Sequence, residues 1–452
     1  MKRLFLMVVA AMLLAIPAVQ AQKINREALV AALEKSDAEI QDAKKNGKAS
    51  TWIKRAQVIF NAISAPTSDL FETQTSALLI KSVGNPKSTE SVQIRTGAAE
   101  AYNFNWVTVY LRDDKVVAWT QNKQVRKDLF KDLKAALDKA YELDAKQASK
   151  IQAELIKAAN FYKEYGNVNY EAAKYTRASN SYVNASKLMA HPAYGPAPEA
   201  SSLVYNAGYL MVIDGTTNPE SFVKAEKLLK KALDMGYNDG DGSVYYYLFH
   251  SFYGRVATAE SDEAKQALLQ QAKEALTEGV TKYPTNENII SSLLGLYMQH
   301  PTVGDASELI GMIQAAVERD PNSVEMWSSL ALANYQLKDF DACIAAGLKA
   351  VELAPEAFET NYRQGIFCAA KGDFLVEKMN NTEYVRQSEY DADYNATNDA
   401  YRAALPWLEK AYSINPTNRS VVETLKVIYF RLRDEAGMMD KYNEFNALLQ
   451  QM

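Results

Sequence analysis

Histidine, cysteine and surplus charge are all scarce in this chain of 452 residues. Its three histidines, His191, His250 and His300, sit in different segments without a ligand-type partner three or four residues away. A convergent zinc site or a histidine-based hydrolytic triad is therefore not indicated. His191 and His300 each precede a proline and read as turn residues. Two cysteines, Cys343 and Cys368, exclude a disulfide framework and leave open either one bridge or two buried thiols. The formal net charge of −5 is poorly suited to coating nucleic acid, where Lys and Arg neutralise phosphates. Neither a phosphate-binding loop nor a nucleophile elbow occurs. Asp239-Gly240-Asp241-Gly242-Ser243 opens like a calcium loop, but Val244 stands where that loop requires glycine. It reads instead as a turn between helices, with Asp241 or Ser243 capping the second. No metal, cofactor or catalytic residue is expected, and the chain reads as a non-enzyme.

What the chain does have begins at its start. Lys2 and Arg3 precede an apolar stretch from Leu4 to Ile16, then Pro17 and the small-residue end Val19-Gln20-Ala21, the layout of a cleavable secretory signal over residues 1–21. The apolar part is too short to span a membrane, and no later segment offers about 18 unbroken apolar residues. No cysteine follows the cleavage site, so the mature chain is expected to begin at Gln22 without a lipid anchor, in a periplasmic compartment.

The remainder is repetitive. From Val324 to Pro355 the landmarks are Trp327, Leu330, Ala331, Tyr335, Phe340, Cys343, Ala350 and Pro355. Small residues let two antiparallel helices approach, and the proline stops the second helix. The second-helix signature recurs as Ala225, Leu229 and Ala232, as Ala272, Leu276, Gly279 and Pro284, and as Ala404, Leu408, Ala411 and Pro416. Ala316 with Pro321 marks another, and Pro321 to Pro355 is a step of 34 residues. Matching first helices carry Ala207-Gly208, Leu248-Phe249, Leu294-Gly295 and Gln364-Gly365.

This pattern resembles the tetratricopeptide (TPR) repeat family. The resemblance implies an all-α solenoid of helical hairpins, about seven units plus a C-terminal cap, and a role in holding partners. The N-terminal helix and first unit fall in residues 22–147, with Trp52 and Ala56 on a first helix and Leu133, Leu137 and Ala140 on a displaced second one. Units two and three occupy 148–237, with Ala178, Tyr182 and Ala185 in second-helix positions; units four to six occupy 238–357, unit seven 358–418, and capping helices 419–452.

Two insertions interrupt the array. The first, at about 65–126, changes period: Tyr102, Phe104, Trp106, Thr108 and Tyr110 alternate with other residues, and Arg112-Asp113-Asp114-Lys115 makes a turn into Val116–Thr120. Ser91–Arg95 adds a third strand, after a helix ending near Val83 and the turn Gly84-Asn85-Pro86. This β-hairpin-containing segment resembles the small outer-membrane-assembly lipoproteins through Asp114-Lys115-Val116; the plainer reading is a decorated loop packed on the solenoid. The second insertion, at about 374–400, is acidic and tyrosine-bearing and reads as a helical arm.

In the resembled family, first helices line a concave groove. Carrying that spacing over unit by unit places Tyr205 and Tyr209, Tyr246, His250 and Tyr253, Tyr335, and Tyr362 on that face, with Ser292 and Leu296 in the fifth unit. Tyrosine suits recognition because it offers rigid area with a polar tip. The expected function is a periplasmic scaffold or adaptor for a peptide, tail or loop of another envelope protein, in secretion or outer-membrane assembly. No nucleic-acid partner is expected, and self-association through an end or the arm is open. The alternative is a glycan- or nutrient-binding accessory protein of an outer-membrane uptake system, since starch-utilisation-type lipoproteins are built on similar repeats.

Overall fold

The computed structural model describes residues 24–452, so the leader-like segment and Gln22 lie outside the described residues. The chain divides into two compact units, the first ending at Tyr237 and the second spanning Asn238–Met452. In the first, α1 (Arg26–Gln41) packs on α2 (Ala49–Ser64), which, past α3 (Ser76–Val83) and a sheet, packs on α4 (Leu129–Leu143). Then α5 (Ala148–Glu171) pairs with α6 (Tyr175–Met189), and α7 (Glu199–Gly215) with α8 (Ser221–Asp234). The second unit continues with α9 (Ser243–Tyr253) and α10 (Asp262–Lys282), α11 (Glu287–Gln299) and α12 (Ala306–Arg319), and α13 (Val324–Gln336) and α14 (Phe340–Leu353). It ends with α15 (Phe358–Asn380) on α16 (Gln387–Ile414) and α17 (Arg419–Arg431) on α18 (Met438–Leu449). The fold is a tetratricopeptide-type array of helical hairpins carrying a small antiparallel sheet in its first hairpin.

A four-residue junction punctuates the second unit. Pro284, Pro321, Pro355 and Pro416 each stand two residues beyond the end of a second helix, where a missing N–H and a fixed φ end the helix. Two residues further on, Asn286, Ser323 and Asn418 accept hydrogen bonds from the backbone of the next helix's first turn. Such a cap contributes about 1 kcal/mol. Trp327 Nε1 donates to the Pro321 carbonyl at 2.9 Å and Asn361 Nδ2 to that of Pro355 at 2.8 Å, so the carbonyl at the junction finds its partner on the helix that follows.

Within hairpins the contact is closest at glycine. A β-carbon at Gly208 would stand 2.8 Å from Leu229, and one at Gly365 2.5 Å from Leu408. One step of seven residues along the same helices, Gly215 meets Phe222 and Gly372 meets the Tyr401 ring, at 2.6 Å each; Gly166 meets Tyr182 likewise at 2.4 Å. The alanines of the second-helix signature, Ala178, Ala185, Ala225, Ala232, Ala404 and Ala411, are all fully buried.

The sheet is a meander of β1 (Ser88–Ile94), β2 (Gly97–Asn103), β3 (Val107–Arg112) and β4 (Lys115–Gln121). Asp113 and Asp114, both left-handed, close the β3–β4 hairpin. The alternating run from Tyr102 to Tyr110, read above as one strand, is broken: the Phe104 N–H donates to the Val107 carbonyl, and the buried Phe104 ring anchors a tight turn between β2 and β3. Alternation cannot reveal that break, because both sheet faces are covered. Phe104, Val107, Val109, Leu111 and Val116 pack with Leu79 of α3, with Trp106 and Trp119 half-buried against them. Tyr110 and a set of alanines pack on Ala172 at the end of α5. The aromatic face therefore turns towards α3, and a face of mostly small residues turns towards the helical array.

Cys343 and Cys368 are free, buried thiols, pushed up to about 12 and about 11 chiefly by burial. His191 is a turn residue, and also a buried one: its Nδ1 accepts from the Ala193 N–H at 3.0 Å, and its ring lies edge-on to Tyr141. Leu296, placed above on the groove face, is core.

The glycine contacts predict opposite signs for one substitution. Gly372→Ala forces a β-carbon against a Tyr401 ring whose hydroxyl is tied to Asp373, and should lower stability by about 1–3 kcal/mol through overpacking. Gly311→Ala, on an exposed turn of α12 with nothing within 4 Å of the added carbon, should raise it by up to about 1 kcal/mol. Urea unfolding followed by circular dichroism checks both.

Candidate functional site

Two surfaces carry chemistry suited to recognition, one in each unit. In the second unit, Tyr246, His250 and Tyr253 fall at helical spacing on α9, whose other face buries Val244, Leu248, Phe249 and Phe252. The Tyr246 and His250 rings meet edge-to-face with centroids 4.4 Å apart. Tyr253 stacks on Phe249 at 5.2 Å, and its hydroxyl donates to Gln299 Oε1 at 2.9 Å and lies 3.3 Å from His300 Nε2. The neighbouring hairpin thus fixes the far end of the row. All three residues are half-buried. Burial holds the His250 imidazole below its ordinary pKa and favours the neutral ring.

The other expected positions are used differently. Tyr335 packs between Phe340 and Phe367, with centroids 6.0 and 5.6 Å away, bridging successive hairpins. Tyr362 stacks on Phe358 at 5.5 Å and joins the core of the C-terminal hairpins, its hydroxyl 3.4 Å from Thr424 Oγ1. In the first unit, Tyr205 stacks on Tyr237 at 4.3 Å, and burial raises the pKa of Tyr209. Tyr246, His250 and Tyr253 thus form one connected row on α9, while Tyr335 and Tyr362, likewise half-buried, each pack on rings of their own or neighbouring helices.

The second surface has no counterpart in the sequence reading. In the first unit a half-open cavity of about 550 Å³ lies between the end of β4, the segment that follows it, the start of α4, and α5 and α6. Phe161 and Tyr165, stacked with centroids 5.8 Å apart, provide its aromatic wall. The Tyr165 hydroxyl accepts from the Gln121 N–H at 2.9 Å, and Thr120 Oγ1 donates to Asn169 Oδ1 at 3.0 Å, so the sheet is pinned to α5. Arg177 of α6 reaches across to Thr120 and to the Gln121 carbonyl, and Arg95 pairs with Glu171 at 2.6 Å. The cavity exists because the insertion folds back onto the second hairpin, and only the pairing of Phe161 with Tyr165 one turn apart hinted at it locally.

Asp239 and Asp241 are occupied as capping groups. Asp239 accepts from the Gly242 and Val244 N–H groups, and Asp241 from Ser243. Among the described residues no group of three or more His, Cys, Asp or Glu is placed to hold a metal ion, and no helix is long and apolar enough to cross a membrane.

No protein-family model matches the chain, and no curated protein matches it. Among solved structures it is similar to TTC0263, a thermophilic TPR protein of Thermus thermophilus, at 19% identity over 46% of this chain and 98% of that one, with a TM-score of 0.28. It is similar to YrrB, a TPR protein with an unusual peptide-binding site, at 17% identity over 64% of this chain and 98% of that one, TM-score 0.26. The human IFIT1 dimer with m7Gppp-AAAA matches at 16% identity over 72% of this chain and 65% of that one, TM-score 0.31.

The His250 environment sets a pH dependence. Its folded pKa is depressed below the unfolded value of about 6.5, so its contribution to stability is complete above that value and is lost as pH falls through the folded pKa. The urea midpoint should drop between about pH 7.5 and pH 5, and the drop should be smaller in His250→Gln.

Proposed function

We propose that this protein is an exported, non-enzymatic scaffold of the periplasm that holds a peptide, tail or loop of another envelope protein, in secretion or outer-membrane assembly. The observation that carries the reading is the row Tyr246, His250 and Tyr253 on α9. Its half-buried rings are braced by Phe249 below and Gln299 beside, so they lose little freedom when a partner covers them. Rigid aromatic edges of this kind supply a disproportionate share of binding energy at protein interfaces. The signal-like arrangement of Lys2, Arg3, the apolar stretch and Val19-Gln20-Ala21 supports export. Hairpin repeats support a holding role, because each added hairpin extends a continuous surface without requiring a catalytic centre.

Crosslinking in intact cells tests this directly. A photo-crosslinking residue at Ser292, on the hairpin beside the row, should yield an adduct with an envelope protein, and Tyr246→Ala with Tyr253→Ala should reduce its yield about tenfold or more, as expected when two anchoring rings are removed. Unchanged adduct from a double variant with native circular dichroism would overturn the assignment of the row.

A further inference from the structure

We propose that the cavity of the first unit is a binding site in its own right and that it takes an extended, acidic segment of a polypeptide. This goes beyond the aromatic row of the second unit and does not depend on it. Three cations, Lys123, Lys131 and Arg177, line the cavity, against one carboxylate, Asp128. Among the described residues none of the three is paired with a carboxylate; Lys123 reaches Asn105, and Arg177 reaches Thr120 and the Gln121 carbonyl. The contrast lies within the same stretch of chain, where Arg126 bridges Asp37 at 2.6 Å and Asp132 at 2.9 Å. In a chain whose net charge is −5, three unneutralised cations around one cavity make a local field that attracts carboxylates.

The geometry suits a polypeptide better than a small anion. A cavity of about 550 Å³ is far larger than one carboxylate or phosphate, and its cations stand on three separate elements: the segment after β4, α4 and α6. Such spacing answers several charges spread along a chain. Arg177 is immobilised through one end of its guanidinium by Thr120 and Gln121, which leaves further donors of its planar fork for a carboxylate. Asn184 and Gln124, which also line the cavity and have no side-chain hydrogen bond among the described residues, can pair with peptide N–H and C=O groups. The stacked Phe161 and Tyr165 give an apolar side chain a flat surface to cover.

The test is fluorescence polarisation on the full secreted chain with three fluorescein-labelled dodecapeptides. They alternate alanine with glutamate, glutamine or lysine around one central phenylalanine; labelled dodecathymidylate is the fourth probe. The glutamate peptide should bind saturably at about 50 mM salt, about tenfold or more tighter than the glutamine and lysine peptides, and weaken at about 300 mM. Lys123→Glu with Lys131→Glu, both exposed side chains outside the core, should weaken it about tenfold or more, whereas Tyr246→Ala with Tyr253→Ala should leave it unchanged. Arg177→Gln should also weaken it, with the urea midpoint reporting any loosening of the sheet. The proposal is overturned if the glutamate peptide fails to bind saturably, if the glutamine peptide binds as tightly, if the lysine reversals have no effect, or if dodecathymidylate binds more tightly.

Discussion

The fold depends on how closely paired helices approach. Gly208, Gly365 and Gly372 each lie where a β-carbon would collide with a side chain of the facing helix. Glycine in a helix costs up to about 1 kcal/mol relative to alanine, so its use there is worthwhile only if the contact returns more through packing. It does so by letting Leu229, Leu408 and Tyr401 seat in the opposite helix and become nearly or fully inaccessible. In the seventh hairpin the two glycines stand seven residues apart, about two helical turns, which keeps the long α15 and α16 in contact well beyond the length of an ordinary repeat. The exposed end of that pair carries stacked Tyr390 and Tyr394, with Tyr384 edge-on to Tyr390 and bonded to Asp393.

The same constraint explains why an insertion of four strands is tolerated. Helices α2 and α4 complete their hairpin through Ala56, Leu133, Leu137 and Ala140, all essentially inaccessible, whatever connects them. Loop-closure entropy grows only slowly with connection length, so the added segment costs little once it has a core of its own. It has one, made by α3 and one face of the sheet, while the opposite face and the ties from Arg95, Thr120 and Gln121 fasten it to α5 and α6. A cavity whose cations meet no carboxylate among the described residues is the by-product of that fastening, and it gives the first unit a chemistry different from the neutral aromatic row of the second.

Much of the repeat was legible because it is enforced locally. A proline two residues past a helix, a cap two residues later and small residues at helical spacing are short-range signals, each with a mechanism that acts within about ten residues. The turn at Asp113-Asp114 was legible for the same reason, since two adjacent residues must adopt positive φ. The Phe104 turn was not, because an alternating run with both faces covered gives no sign of where the strand reverses. Tyrosines were legible as a group and ambiguous one by one: spacing identifies the helix face, while Tyr335 and Tyr362 are claimed by neighbouring hairpins whose approach spacing does not encode.

By itself, the sequence determined the helical hairpins, their order and the presence of a β-containing insertion, because periodicity, capping and the size of contact residues are properties of short stretches of chain. Only the tertiary structure decided which face of the sheet meets the helices, that Cys343 and Cys368 stay unpaired thiols, which rings meet one another and where the cations of the first unit converge. Those outcomes depend on residues far apart in sequence, such as Gln121 with Tyr165 or Arg177 with Thr120, and their meeting is settled by how whole elements pack.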